Sequence, residues 1–461
     1  MSATPKHFLL ILAAVLPLLG FANVARAEST LRWHPDTELL DVDLHEAPLI
    51  PTLETLAAST GWHIDLEPTP GKTFTTRFTG QPRGEAMRIL IGSEMSYAFA
   101  TMDDGQTKLF IFRTSRSAAT YQIEAKPVLK EPVTKKVPNQ LIVKLKPGMK
   151  IEELAKKLGA KVKARIGDLN AYLLEFENAE AVEAARRELA SNTDVESTDF
   201  NYYVDRPAPA QKLNGASVPS IKLALNPPSP DGRIIVGLID TSLQSLPADL
   251  QQFLLKQISV VGDALPSDGP THGTSMAETL LRALQLATGG KTSVQILPVD
   301  VYGPNATTTT FDVAAGIMRA VNGGADMLNL SLGSDTASTF LHGVITDVTS
   351  RQIPIFGAAG NTPVTTPFYP AAYPEVIAVT ASSGQGQVAG YANHGAFVDM
   401  IAPGTSVIHY NGQTWLITGT SAASAYAAGL AAGFADSRNL TAVRAANVVR
   451  TSQPFTSSTG R

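Results

Sequence analysis

The chain has 461 residues, a formal net charge of −4, no cysteine and 44% apolar residues. So small a charge, and a negative one, gives no electrostatic case for nucleic-acid binding. The absence of cysteine excludes a disulfide framework and thiol chemistry, and the length predicts about three domains.

Residues 1–27 have the pattern of a secretory signal peptide. Lys6 precedes an apolar run over 8–21, and residues 25–27 read Ala-Arg-Ala, a small-residue cleavage pattern. The run is short for a membrane span. We expect cleavage near Glu28 and a periplasmic or secreted mature protein, an oxidising setting that suits a chain without cysteine. An uncleaved anchor is the alternative.

Residues 37–114 predict a small α+β domain. Leu40 to Leu44 alternates like a half-buried strand, and residues 48–60 have helical apolar spacing that ends at Gly61. Further strands are expected at 63–66 and 74–78, a second helix at 83–91, and a hairpin of 97–102 and 108–113 around Asp104-Gly105.

Two patterns in this region resemble the short N-terminal domain shared by secretins and TonB-dependent receptors. They are Leu-x-x-Leu-x-x-Ser-Thr-Gly-Trp from Leu53 and Gly-x-x-x-x-x-Ala-Met-x-x-Leu from Gly80. The resemblance implies an envelope setting, with an envelope receptor or secretion channel as a protein partner. A generic α+β spacer is the alternative.

Residues 115–136 are polar and contain Pro127 and Pro132, which predicts a linker. Residues 137–204 then predict a second small domain of order βαββαβ, a ferredoxin-like arrangement. Its strands are expected at 140–145, 161–166, 171–176 and 195–200, and its helices at 151–158 and, after an Asn178 N-cap, up to Ala190.

The run from Val137 to Leu145 and the later Val195-Glu196-Ser197 resemble the pro-domain that folds and inhibits subtilisin-like proteases. The resemblance implies a zymogen whose own pro-domain lies in the cleft. Residues 205–231 carry six prolines and are expected to form a flexible linker, where a processing cut would fall.

Residues 232–455 alternate continuous apolar runs with helical patterns. Strands are expected at 234–239, 294–301, 327–332, 353–358, 376–380 and 397–401, and helices at 275–286, 311–321, 339–350, 421–435 and 442–450. This alternation predicts an α/β fold with a doubly wound, mainly parallel sheet that is covered on both faces. Ligand sites in such sheets lie at the carboxyl ends of the strands.

Polar residues occur where these strands end or where the helices begin. Asp240 follows an apolar strand, His272 opens a helix in Thr-His-Gly-Thr-Ser-Met-Ala, and Asn361 closes Gly-Ala-Ala-Gly-Asn. Ser421 lies in Gly-Thr-Ser-Ala-Ala, where a turn leads into a helix of small residues. A hydroxyl there would lie beside unpaired N–H groups that favour negative charge.

These motifs, in the order Asp, His, Ser, resemble the subtilisin family of serine proteases. The resemblance implies a serine endopeptidase that hydrolyses peptide bonds through an acyl-enzyme, with protein or peptide substrates. The sequence shows no acidic cluster that would support a calcium site, and we expect no metal or cofactor. Asp240, His272 and Ser421 would be catalytic, and Asn361 would bind the oxyanion. Ser331, Leu332 and Gly333 would pair with the substrate backbone.

Taken singly, each residue has an ordinary structural explanation, because Asp caps turns and Gly-Asn pairs form them. The sequence also departs from the family pattern in having Ser242 after Asp-Thr, Thr271 before the histidine and Ala425 where a proline is usual. The alternative function is therefore a non-catalytic envelope binding or signalling module that keeps the subtilisin-like fold.

Overall fold

The computed structural model describes residues 30–34, 37–68, 73–102, 106–123, 135–213, 219–228, 232–383 and 386–455. The predicted signal peptide and the predicted Asp104-Gly105 turn lie outside these ranges.

The N-terminal unit contains two sheets and two helices around one apolar core. Its elements are β1 (Thr30–His34), β2 (Leu39–Pro48), α1 (Leu49–Thr60), β3 (His63–Leu66), β4 (Thr73–Pro82), α2 (Arg83–Ile91), β5 (Ser96–Thr101), β6 (Thr107–Phe112) and β7 (Tyr121–Ile123). The strand orders are β1-β2-β4 and β5-β6-β3-β7. Helix α1 ends at Gly61, whose φ of 71° is one that glycine adopts without strain.

This unit is larger than the predicted range of 37–114. Strand β1 pairs with β2, and β7 pairs antiparallel with β3 through contacts such as Ile64 with Ile123. Part of the predicted linker over 115–136 therefore belongs to a sheet. The sequence does not predict β7, because a three-residue strand, Tyr-Gln-Ile, is too short to show the alternation of apolar and polar residues.

The second unit has the predicted βαββαβ order. Its elements are β8 (Lys136–Leu145), α3 (Ile151–Lys157), β9 (Lys161–Ile166), β10 (Ala171–Glu175), α4 (Ala179–Leu189) and β11 (Val195–Asp205). The strands pair antiparallel in the order β11-β8-β10-β9, the ferredoxin-like order. Asn178 caps α4 as predicted, because its Oδ1 accepts from the Ala181 N–H at 2.9 Å.

The predicted flexible linker of 205–231 is partly structured. It contains β12 (Gln211–Leu213) and β13 (Ala224–Leu225), and Ile221 and Leu223 are buried. These strands pair with elements of the third unit, described next, so their partners are distant in sequence and no local pattern marks them.

The third unit is built on a seven-stranded sheet. Its elements are β14 (Ile235–Asp240), α5 (Ala248–Gln251), β15 (Ile258–Ser259), α6 (His272–Thr288), β16 (Lys291–Thr292), β17 (Gln295–Asp300), β18 (Thr307–Thr309), α7 (Thr310–Asn322), β19 (Met327–Leu330), α8 (Thr339–Ser350), β20 (Ile355–Ala358), β21 (Ile377–Ser382), β22 (Met400–Pro403), β23 (Thr405–Tyr410), β24 (Gln413–Thr418), α9 (Thr420–Arg438) and α10 (Ala442–Ser452).

The sheet order is β15-β17-β14-β19-β20-β21-β22, and every pairing is parallel. Helices α6, α9 and α10 pack in one core and α7 and α8 in another, on the opposite face of the sheet. This doubly wound α/β arrangement confirms the predicted fold class. No helix in the described ranges is long and apolar enough to cross a membrane.

The second unit joins the third through backbone pairing and helix caps. Strand β18 extends the second unit's sheet as a fifth strand beside β11. The Asn201 Oδ1 accepts from the Phe311 N–H at 3.0 Å, in the first turn of α7. The Asp199 carboxylate accepts from the Phe340 N–H at 2.9 Å, in the first turn of α8. Side chains of the second unit thus supply acceptors to unpaired donors of two helices in the third.

Candidate active site

Asp240 and His272 form a buried hydrogen-bonded pair. Asp240 ends the central strand β14 and has no exposed surface, and His272 begins α6 and is 4% exposed. The His272 Nδ1 lies 2.8 and 2.9 Å from the two carboxylate oxygens. An ionised carboxylate only accepts, so Nδ1 carries the proton and Nε2 presents its lone pair.

Two departures from the family pattern contact each other beside this pair. The Thr271 hydroxyl donates to the Ser242 carbonyl at 2.6 Å, and it also accepts from the Thr274 N–H as the cap of α6. Gly273 donates its N–H to the Thr241 hydroxyl at 2.8 Å, and any Cβ on Gly273 would overlap the Thr241 carbonyl. The loop after Asp240 is therefore fixed directly to the turn that presents His272.

Ser421 lies at the start of α9, next to the end of β19. Its hydroxyl donates to the Ser331 carbonyl at 3.1 Å, and the Ser331 hydroxyl donates to the Ser421 carbonyl at 3.0 Å. No hydrogen bond joins the Ser421 hydroxyl to the His272 ring, although both residues are among those described. Reaching the ring requires rotation of the serine about χ1, which exchanges staggered positions of Oγ.

The packing of α6 against α9 brings His272 and Ser421 to the same end of the helix pair. A Cβ on Gly429 would lie 2.6 Å from the Leu280 carbonyl oxygen, so the two backbones almost touch there. Leu280 follows His272 by the same number of residues as Gly429 follows Ser421. Because helices rise equally per residue, parallel helices in contact at that level begin side by side.

The Asn361 side chain is oriented by the residue before the nucleophile. Its Oδ1 accepts from the Thr420 N–H at 2.8 Å and from the Thr420 hydroxyl at 3.0 Å. Because the Thr420 N–H can only donate, the Asn361 atom that it contacts is the oxygen. The other terminal atom of the Asn361 amide is therefore Nδ2, a donor. Among the described residues Nδ2 has no hydrogen-bond acceptor, and Asn361 is exposed. A Cβ on Gly419 would lie 2.9 Å from this Nδ2, which places it beside the start of α9.

Ser331, Leu332 and Gly333 follow β19, but they form no strand in the described structure. Ser331 is fully buried in a polar network in which the Asn329 Nδ2 donates to its hydroxyl at 2.8 Å. The Leu332 side chain is 3% exposed and belongs to the core under α7 and α8. Only the backbone of this segment is therefore left to contact a substrate.

A segment of the chain itself pairs with the edge strand β18. Tyr203, Val204 and Asp205 lie antiparallel to residues 307–309, and the Arg206 N–H donates to the Ala306 carbonyl at 3.2 Å. Further on, β12 pairs antiparallel with β24, with Gln211 opposite Leu416. The sequence prediction missed both edges, and the Thr-rich run over 307–310 is the one signal that could have marked the first.

Asp300 lies in register with Asp240 on the neighbouring strand and is also buried. Burial raises the pKa of the Asp300 carboxyl, and hydrogen bonds from the Gly303 and Tyr302 N–H groups partly oppose that shift. Its Oδ2 has no hydrogen-bond partner among the described residues. Asp300 therefore anchors the turn after β17, and its charged form is disfavoured beside the buried Asp240.

Comparison with known proteins identifies the class to which this fold and site belong. A family model described as the subtilase family matches residues 231–452, and one described as the fervidolysin N-terminal prodomain matches residues 124–201. Subtilisin DY from Bacillus licheniformis is 34% identical over 207 residues, which cover 43% of this chain and 74% of subtilisin DY. The chain belongs to the subtilase family.

Other relatives are matched over part of their length. The thermophilic serine proteinase from Bacillus sp. (strain AK1) is 34% identical over 203 residues, 43% of this chain and 51% of that protein. The chain thus spans about half the length of that relative, and 47% of M-protease from Shouchella clausii (strain KSM-K16). The crystal structure of fervidolysin from Fervidobacterium pennivorans aligns with a TM-score of 0.50 at 18% identity, over 65% of this chain and 55% of fervidolysin, and so shares the fold.

Proposed function

We propose that the protein is a serine endopeptidase that hydrolyses peptide bonds in proteins or peptides. The observation that carries this proposal is the buried Asp240–His272 pair, with Nδ1 at 2.8 Å from the carboxylate, beside the helix α9, whose first turn contains Ser421. An inert scaffold has no need of a buried carboxylate–imidazole pair at the same end of a helix pair as an N-terminal serine, which argues against the non-catalytic alternative.

The proposed mechanism uses each group in one role. The Ser421 hydroxyl, rotated from the Ser331 carbonyl, attacks the substrate carbonyl and gives its proton to His272 Nε2. His272 then protonates the leaving amine, and Asp240 keeps the proton on Nδ1 and stabilises the imidazolium. Water deacylates Ser421 with His272 again as the base. The Ser421 N–H and the Asn361 Nδ2 donate to the developing oxyanion.

We also propose the domain division and the export that the sequence predicts. The N-terminal unit, with the predicted range 37–114 extended by β1 and β7, would be separate from a pro-domain at 137–204 and a peptidase domain at 232–455. The apolar run of residues 8–21 and the Ala-Arg-Ala pattern support export to the periplasm or the exterior.

The second unit would act as a pro-domain that covers the cleft. The pairing of residues 203–205 with β18 supports this, because an extended segment on a sheet edge is how peptides bind by strand addition. If the register of β12 against β24 continued backwards, Ala208 would lie opposite Gly419, two residues before Ser421. Activation would then require a cut within the linker, residues 205–231.

The N-terminal unit is proposed to dock the peptidase to an envelope receptor or secretion channel. Its support is the sequence resemblance and its separate core. Deletion of residues 28–123, which includes β7, should remove partner pull-down from envelope extracts and leave peptide hydrolysis unchanged. Unaltered pull-down after the deletion would count against the docking role without affecting the peptidase role.

The peptidase proposal is tested with Ser421→Ala in the full chain. We expect peptide hydrolysis to fall by at least ~10⁴-fold, since the acyl-enzyme cannot form. The matched control is Ser424→Ala on the same helix, which removes a buried hydroxyl that donates to the Asn329 Oδ1 at 2.7 Å but no reacting atom. Hydrolysis that persists in Ser421→Ala would contradict the proposal.

A further inference from the structure

Phe368 is a half-buried aromatic residue that belongs to neither hydrophobic core of the third unit. A Cβ built on Gly333 would overlap the Phe368 Cε1, and a Cβ on Gly360 would lie 3.0 Å from its Cγ. The ring therefore lies between two backbone segments, one that follows β19 and one that follows β20. It does not support the fold by core packing, so its placement requires another explanation.

Both of these backbone segments are tied to the nucleophile. Gly333 lies two residues after Ser331, whose carbonyl accepts the Ser421 hydroxyl at 3.1 Å. The Gly360 N–H donates to the Thr420 hydroxyl at 3.0 Å, and Asn361 follows directly. A substrate carbonyl placed between Ser421 and Asn361 would therefore project the side chain of its own residue between these two segments, where the Phe368 ring already lies.

The backbone that carries Phe368 is held firmly. The Tyr369 N–H donates to the Ser334 carbonyl at 2.7 Å, and the Ser334 N–H donates to the Tyr369 carbonyl at 2.8 Å. The Phe368 carbonyl accepts from the Ala372 N–H at 2.8 Å. With its main chain held by hydrogen bonds at its own carbonyl and at Tyr369, the ring leaves this position mainly by changing its rotamer, and Gly333 and Gly360 limit that change.

We propose that Phe368 determines the specificity of the peptidase, by restricting the substrate residue on the acyl side of the cleaved bond to a small side chain such as alanine or glycine. The inference rests on the proposed function. An independent observation agrees with it: the chain's own segment between β11 and β12 contains, after Arg206, only Pro207, Ala208, Pro209 and Ala210. If this segment lies across the site, as the continued register of Ala208 opposite Gly419 would place it, small residues are what a shallow site accepts.

The test compares two peptide substrates that are identical except for alanine or phenylalanine at the acyl position. The full-length protein is used after its linker has been cut, either by its own activity or by immobilised trypsin that is then removed. We expect the wild type to prefer alanine over phenylalanine in kcat/KM by at least about tenfold, because a side chain cannot share a filled site.

Phe368→Ala should raise kcat/KM for the phenylalanine substrate by at least about tenfold and leave that for alanine within about threefold. Phe368→Leu, which retains more apolar volume, should fall between the two and covers the case in which the alanine variant does not fold. Phe434→Ala is the matched control, because Phe434 is a half-buried aromatic on α9, about 20 Å along the helix from Ser421. The ratio of kcat/KM for the alanine substrate to that for the phenylalanine substrate should be the same in Phe434→Ala as in the wild type.

Equal use of both substrates by the wild type, or an unchanged ratio in both Phe368 variants, would overturn the specificity role while leaving the peptidase intact. Hydrolysis of neither substrate by the wild type before or after the linker is cut would overturn the proposed function and this inference with it.

Discussion

Asp240 is proposed to act through the tautomer of His272 and not by receiving a proton. Asp240→Asn keeps the size of the side chain but can donate to Nδ1, which would move the ring proton to Nε2. We expect kcat to fall by roughly 10⁴-fold, the size of effect seen when the triad tautomer is wrong. Measured kcat within tenfold of the wild type would show that the pair is structural.

Asn361 tests the oxyanion site with little change of shape. Asn361→Asp keeps the oxygen that accepts from Thr420 at 2.8 Å but replaces the Nδ2 donor with an anionic oxygen. We expect kcat to fall by at least ~10²-fold, the lower end of the range measured for loss of such a donor in subtilisin itself. Asn447→Ala, on an exposed position of α10, is the control. A normal kcat in the Asp variant would remove Asn361 from the site.

The raised pKa of Asp300 predicts a pH dependence of the free energy of unfolding. Because burial raises its pKa above the ordinary 3.8, the folded state holds this proton more tightly than the unfolded state does. The free energy of unfolding should therefore fall as pH rises from 3.8 through the raised pKa. Asp300→Asn does not titrate, so its stability relative to the wild type should increase over that window and then level off.

Denaturant unfolding across pH measures this difference, with the exposed Asp263→Asn as the baseline for loss of a carboxylate. The Asn variant keeps an oxygen for the Tyr302 and Gly303 N–H groups, so only the pH dependence of the difference is diagnostic. A pH-independent difference would show that Asp300 ionises equally easily in both states. The Asp300→Asn variant should retain hydrolytic activity, because Asp300 does not contact His272.

At the scale of elements, the close approach of α6 and α9 positions His272 beside Ser421. Gly429→Ala would place a Cβ 2.6 Å from the Leu280 carbonyl and 2.8 Å from the Ala283 Cβ, forcing the helices apart. We expect a loss of about 1–3 kcal/mol in stability, as for other overpacked sites, and a lower kcat. Thermal unfolding and kinetics at saturating substrate measure the two effects.

Gly343→Ala in α8 is the matched control, because a Cβ at Gly343 would have no atom within 4 Å and its helix lies on the opposite face of the sheet. Alanine is a better helix former than glycine, so this variant should be neutral or gain up to about 1 kcal/mol. Equal changes in stability and in kcat in Gly429→Ala and Gly343→Ala would show that the close packing of α6 and α9 does not cause the losses.

The sequence predicts elements well where they carry a continuous local pattern. All six predicted strands of the large sheet are present within a few residues, and α8 has the predicted bounds. The strands β7, β12 and β18 escape prediction because each is three residues long and its partner is distant in the chain. Strands β7 and β12 lie inside the two predicted linkers, and for this reason the predicted linkers are too long.

The same distinction between local patterns and distant contacts applies to the site residues. Asp240, His272, Asn361 and Ser421 stand in motifs at element ends, so their identity could be predicted from the sequence. The orientation of the serine hydroxyl toward Ser331 and the placement of the Phe368 ring could not, because both depend on contacts between segments far apart in the chain. The catalytic roles of the four motif residues remain predictions.

At the scale of the whole molecule, the second unit caps α7 and α8 and pairs with β18, and we propose that it is the pro-domain of a precursor. If a cut in the linker activates the peptidase, the N-terminus of the active form should lie within residues 205–231, and Ser421→Ala should remain uncut at that position. Mass spectrometry of the N-terminus measures this. An active form that begins upstream of residue 137 would show that the pro-domain does not block the cleft.

The central claim is that Asp240, His272 and Ser421 converge to activate one hydroxyl. The most direct measurement is labelling of the linker-cut, full-length protein with a fluorophosphonate, followed by mass spectrometry to locate the adduct. We predict a single adduct on Ser421, with labelling abolished in His272→Ala and in Ser421→Ala. An adduct on any other residue, or labelling at the wild-type rate without His272, would contradict this claim.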